Sequence, residues 1–124
     1  MAIAWVSAFF RNVDAFQIER LDAWFADNII LRIANNPAIN DKQTALRTLR
    51  GCFKTITGLQ HKPEALVGSR NEVAQQAIVT YTRTDGRLVL LQVLSYLRRH
   101  AAVKLDRLWI YFDINPLYAE KLAR

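Results

Sequence analysis

Apolar residues return at helical intervals early in the chain and at every second position later, and this change of period divides the sequence. Residues 1–10 are almost wholly apolar and read as an amphipathic helix that packs onto a core. Phe16, Leu21, Trp24 and Phe25 then share one helical face, with Asp14 placed to cap its start, which predicts a helix over 15–26. Asp27-Asn28 breaks it, and residues 29–33 are β-branched enough for a short strand. After the loop signal Asn35-Asn36-Pro37, Asp41 caps a third helix whose stripe is Ala45, Leu46, Leu49, Phe53 and Ile56, closed by Gly58.

From Leu59 onward the alternation predicts three strong strands. The central pair is joined through Thr84-Asp85-Gly86-Arg87, where Asp-Gly supplies the positive φ angles of a two-residue turn. Such a turn sets a register in which Arg83 faces Leu88, Tyr81 faces Leu90, Val79 faces Gln92 and Ala77 faces Leu94. A second hairpin through Ala101-Ala102 leads into a strand over 103–112, and Asn115-Pro116 starts a short closing helix. Helices first and an antiparallel sheet afterwards predict an α+β fold with helices over one sheet face. A strongly twisted sheet of that kind curls around the helices and leaves a conical cavity.

The length of 124 residues with 52% hydrophobic content fits one domain over 1–124 with a core of its own. The single cysteine, Cys52, excludes an internal disulfide or a multi-cysteine zinc site and points to a reducing, cytoplasmic setting. With His61 and His100 the only histidines, and His100 expected at a hairpin tip, no metal cluster forms, and no cofactor is expected. The net charge of +6 is spread from Arg11 to Arg124, which reads as a solvated face and not a nucleic-acid groove. The apolar start lacks the charged beginning and cleavage site of a signal sequence and is too short to span a bilayer, so no membrane partner is expected.

Four segments, Trp24-Phe25-Ala26-Asp27 with its following strand, Gly58-Leu59-Gln60-His61, the run from Tyr81 to Arg87, and Leu105 through Trp109 to Asp113, stand in a telling order. In that order the chain resembles the SnoaL-like and ketosteroid isomerase-like branch of the nuclear transport factor 2-like superfamily, which also includes the limonene epoxide hydrolases. The resemblance implies a cystatin-like curved antiparallel sheet wrapped around N-terminal helices, a small hydrophobic molecule in the cone, and a homodimer through the outward sheet face. Matched to the ketosteroid isomerases, Asn36 stands at the base, Phe9 near the tyrosine and Leu94 at the aspartic acid, and none of the three can do that work. In the SnoaL-like cyclases and epoxide hydrolases an aspartate precedes a second acid by three positions on the last strand; here Asp113 is the second acid and Ile110 holds the aspartate's place.

The expected pocket wall follows from the register and the two-residue period. Val79 and Tyr81 line one strand, Leu90, Gln92, Leu94 and Tyr96 the next, and Leu108, Ile110 and Phe112 the last, with Trp24 added from the helices. Trp109, Tyr111, Val89, Leu91 and Val93 are then the outward, dimerising surface. His61 has two readings, a general acid or base and an imidazole that orders the second strand; Asp113 likewise either reaches the cavity mouth or anchors the chain before the last helix. The expectation that follows is a binder of a small hydrophobic molecule with its family acids lost. Its alternatives are an isomerase, cyclase or hydratase using His61, and a dimerising accessory module.

Overall fold

The structure is a computed structural model that describes residues 4–100 and 104–119. Helix α1 (Ala4–Asp14) turns Val6, Phe9 and Phe10 inward at helical spacing. The helix expected over 15–26 is not one helix. Asp14 ends α1 instead of capping a new helix, Phe16 takes a positive φ of 62° that no helix admits, and only the four-residue α2 (Glu19–Asp22) follows. Strand β1 (Phe25–Ile33) begins earlier than expected because Phe25, Ile29, Leu31 and Ile33 are its buried positions, a tertiary demand that overrides local helical spacing.

Helix α3 (Lys42–Phe53) starts where its cap predicts: Thr44 N–H donates to the Asp41 carboxylate at 2.8 Å. Its buried stripe is Ala45, Leu46 and Leu49. Strands β2 (Ile56–Ser69), β3 (Glu72–Arg83), β4 (Leu88–His100) and β5 (Lys104–Tyr111) follow, and α4 (Asn115–Tyr118) closes the described chain with proline in its first turn. The tip through Ala101-Ala102 lies outside the described residues.

The fold is α+β: a five-stranded, curved and unclosed sheet in the order β1-β5-β4-β3-β2, with β1 parallel to β5 and every other pair antiparallel. The inner face packs on α1 and α3 through Phe9, Phe25, Leu31, Ala45, Val73 and Leu97. Pro63, which has no N–H to give a ladder, sits at a register shift of the edge strand β2, where it is tolerated.

The β3–β4 register is shifted by one residue from the expected one. Arg83 N–H donates to Arg87 O at 2.8 Å and Gly86 N–H to Arg83 O at 2.9 Å, so the loop is Thr84-Asp85-Gly86 and Arg83 faces Arg87. With Gly86 at φ 84°, this is the three-residue hairpin in which a turn is followed by a left-handed glycine. Tyr81 therefore pairs with Val89, Val79 with Leu91, Ala77 with Val93 and Gln75 with Ser95. One residue of slip reverses a strand's faces. Val89, Val93, Ser95 and Leu97 are buried inside, while Leu90, Gln92 and Leu94 are exposed on the outward face.

Candidate functional site

Between the sheet and α1 and α3 lies an almost wholly apolar cavity of about 90 Å³. Phe9, Phe10 and Val13 enter from α1, Leu49, Cys52 and Phe53 from α3, and Tyr81, Val93, Ser95, Leu108, Ile110 and Phe112 from the sheet, with Ile114, Leu117 and Tyr118 closing the C-terminal side. This volume holds several water molecules or one ring-sized apolar group.

His61 lines this cavity from β2 and is held by Asp14. His61 Nδ1 lies 2.7 Å from Asp14 Oδ1, and the His61 backbone N–H donates to Asp14 Oδ2 at 2.9 Å. One carboxylate thus fixes both the strand position and the ring of the same residue. The helix explains the geometry: Phe10 and Asp14 are four residues apart on one face of α1, so Phe10 packs on the imidazole at 4.5 Å between centroids while Asp14 binds its edge. Only 8% of the imidazole side chain is exposed. A carboxylate can only accept, so Nδ1 is the nitrogen that donates to Asp14, and Nε2 is the ring nitrogen turned away from it. No described residue hydrogen-bonds Nε2.

Tyr81 stands diagonally across the β2–β3 ladder from His61, since His61 pairs with Val79 and Leu59 with Tyr81. Such neighbours share a face about 7 Å apart. Burial pushes the Tyr81 phenol above its ordinary value, with Tyr118, Cys52 and Asp14 acting in the same direction, so the hydroxyl stays protonated and is a donor. Ser95, 2% exposed, adds a second hydroxyl to the wall. The Cys52 thiol, raised by desolvation, is protonated and unreactive.

Of the residues singled out from the sequence, His61, Tyr81, Leu108, Ile110 and Phe112 are brought together around the cavity. Val79 is on the same inward face but fully buried beside Ala77 in the neighbouring core, and Trp24 packs edge-on against Phe9 at 5.6 Å; neither lines the cavity. Leu90, Gln92, Leu94 and Tyr96 lie on the other side of the sheet, where Gln92 accepts from Gln76, Tyr96 donates to Glu72 and its ring packs on Trp109 at 4.9 Å. The three-residue loop puts them there, and it likewise turns Val89 and Val93 inward from the outward surface assigned to them, with half-buried Leu91 packed against the same inner core. Asp113 is exposed and accepts from Asn115 N at 3.1 Å, anchoring the start of α4 outside the cavity. Asp14 and Ser95 were not legible as site residues: Asp14 reads locally as a helix cap, and Ser95 needs the true register.

Among the described residues no cluster of metal-ligating side chains occurs, and no helix is long and apolar enough to cross a membrane. The sequence model of the SnoaL-like domain matches residues 6–104. A comparison with curated proteins finds no match. Among solved structures, an NTF2-like protein of unknown function from Burkholderia pseudomallei superposes with a TM-score of 0.79 at 13% identity, covering 92% of this chain and 95% of that one. An LEH-like epoxide hydrolase of M. tuberculosis gives 0.76 at 16% identity over 94% and 86% of the two chains. The epoxide hydrolase/cyclase-like enzyme SalBIII gives 0.75 at 12% identity over 88% of each. At such identities the likeness is one of fold. With the family match covering most of its length, the chain belongs to the SnoaL-like domain family, on an NTF2-like fold.

Proposed function

We propose that this protein is an acid–base enzyme of isomerase, cyclase or hydratase type that acts on a small, largely apolar molecule held in the cone. The observation that carries the reading is His61 on the wall of an apolar cavity, held from α1 by Asp14 at 2.7 Å. His61 Nε2 takes a proton from a C–H next to a carbonyl, or from a water whose oxygen bonds to the β-carbon of an unsaturated carbonyl compound as the proton leaves. The electron pair moves onto the carbonyl oxygen, which receives a hydrogen bond from Tyr81 Oη, and His61 returns the proton to another carbon or to a leaving oxygen. Asp14 is the positioning residue: it aims the ring and balances the imidazolium formed midway. The low polarity of the wall strengthens each of these contacts. A lone, unpaired cysteine suits a cytoplasmic setting for this chemistry.

The test is α-proton exchange of simple enolisable ketones in D₂O followed by NMR, alongside a panel of epoxides and unsaturated carbonyl compounds. Wild type is expected to accelerate exchange, His61→Ala to lose that acceleration while retaining its fold, and Asp14→Asn to keep only part of it. Equal rates for wild type and His61→Ala across the panel would overturn the enzymatic reading in favour of a non-catalytic binder of small hydrophobic molecules. That second reading draws its support from Ile110, an apolar residue on the cavity wall where the resemblance implies an acid.

The same proposal includes a homodimer through the outward sheet face. Leu88, Leu90, Leu94 and Tyr111 are exposed there, Leu90 to 62%, an apolar surface that a second copy would cover. Sedimentation at tens of micromolar, on the order of ordinary assay concentrations, is expected to show a dimer that Leu90→Lys dissociates. A wild-type monomer would refute this.

A further inference from the structure

The cone is too small to hold more than the reacting end of a substrate, and its wall continues into a second feature. Phe53 lines the cavity on one side and, on the other, an open groove of about 410 Å³ whose remaining lining is Phe16, Gln17, Ile18, Glu19, Arg50 and Lys54. Phe16 stacks on Phe53 at 4.8 Å and 9°. Its positive φ of 62°, a conformation a bulky residue adopts only when its surroundings impose it, fixes that ring at the boundary between the two spaces. The groove differs from the cone in chemistry. Arg50 and Lys54, one helical turn apart at the end of α3, are exposed, and among the described residues neither enters an ion pair. Glu19 is the one acid in the lining, and Gln17 is held by Arg20 at 2.8 Å.

We propose that the natural substrate carries an anionic group, a carboxylate in the simplest case, that rests in this groove at Arg50 and Lys54 while its apolar end enters the cone past Phe53. This rests on the cone being the binding site and adds the class of molecule: an apolar head with an acidic tail. Two cations against one acid give the groove an excess positive charge, and the Phe16–Phe53 pair makes the boundary between the charged and the apolar spaces an apolar one. A wholly neutral ligand gains nothing from the groove. A ligand with a positive tail is repelled by it.

The experiment displaces the neutral fluorophore N-phenyl-1-naphthylamine with octanoate and, separately, with 1-octanol, which share a chain length and differ in the head. Wild type is expected to bind octanoate about fivefold more tightly than octanol, the size two exposed charge contacts provide. High salt should erode the preference. The variant Arg50→Glu/Lys54→Glu is expected to invert it while leaving octanol affinity unchanged, which also reports an intact fold. Equal affinities in wild type, or a preference that survives charge reversal, would overturn the proposal. Ile110→Phe, which narrows the cone, separates this from the underlying reading. If it weakens both probes but octanoate has no advantage, the anionic subsite alone falls. If it weakens neither, the cone is not the binding site and both fall.

Discussion

Asp14 is bound to His61 by two contacts, and removing them has a size that can be worked out. Hydrogen bonds to a charged group contribute about 1.5–3 kcal/mol each. Asp14→Ala deletes both acceptors and leaves the His61 amide and ring without a partner in a site where only 8% of the imidazole side chain is exposed. A cost of about 3 kcal/mol follows. For 124 residues the unfolding entropy is about 0.26 kcal/mol/K, so the melting temperature should fall by roughly 11 °C. Asp14→Asn keeps one acceptor and should lose about half as much. His61→Ala removes the ring contact but keeps the amide. In a double-mutant cycle followed by urea denaturation, Asp14→Ala and His61→Ala should therefore couple by about 1–2 kcal/mol, with a residual cost of Asp14→Ala in the His61→Ala background from the backbone bond. Additivity within about 0.5 kcal/mol would mean that carboxylate and ring do not act on each other, and the positioning role given to Asp14 would be wrong.

Other outcomes follow from single elements. Gly51 lies in α3 with open space where a Cβ would go, so Gly51→Ala should raise stability by about 0.5–1 kcal/mol in the same denaturation assay. Gly68→Ala should cost well over 2 kcal/mol, because a Cβ there meets the Glu72 carbonyl and φ is 139°. The Arg98 guanidinium, bonded through Nε and Nη2 to both oxygens of Asp106, holds that carboxyl below its ordinary 3.8. A lowered folded value means stability present above pH 4 and lost as the pH falls through it. Thermal melts of Asp106→Asn between pH 2 and 7, spanning roughly the ordinary carboxylate range, should show a shallower acid limb than wild type; parallel limbs would contradict the pairing.

What is encoded locally was legible in the sequence. Asp41 begins α3 because a capping carboxylate and its amide are neighbours in the chain. The alternation of β3, and of Leu108, Ile110 and Phe112 around β5, gave the correct inner face because period two is local as well. His61 was singled out by its residue type and not by its period, and the fold puts it on the cavity wall. Three decisions belonged to the tertiary structure. Whether Asp85-Gly86 makes a loop of two or three residues depends on which backbone pair closes it. That choice of Arg83 with Arg87 put Ser95 in the cavity and Leu90, Gln92, Leu94 and Tyr96 outside. Whether residues 15–26 stay helical depended on the burial available to β1. Asp14 became the partner of His61 across 47 residues of chain only because α1 packs on β2, a contact that no local pattern contains. Sequence set the chemistry of each side chain and the elements whose signals are local, while packing at a distance decided residues 15–26, the faces and the partners, because strand register and helix docking are set by contacts between residues far apart in the chain.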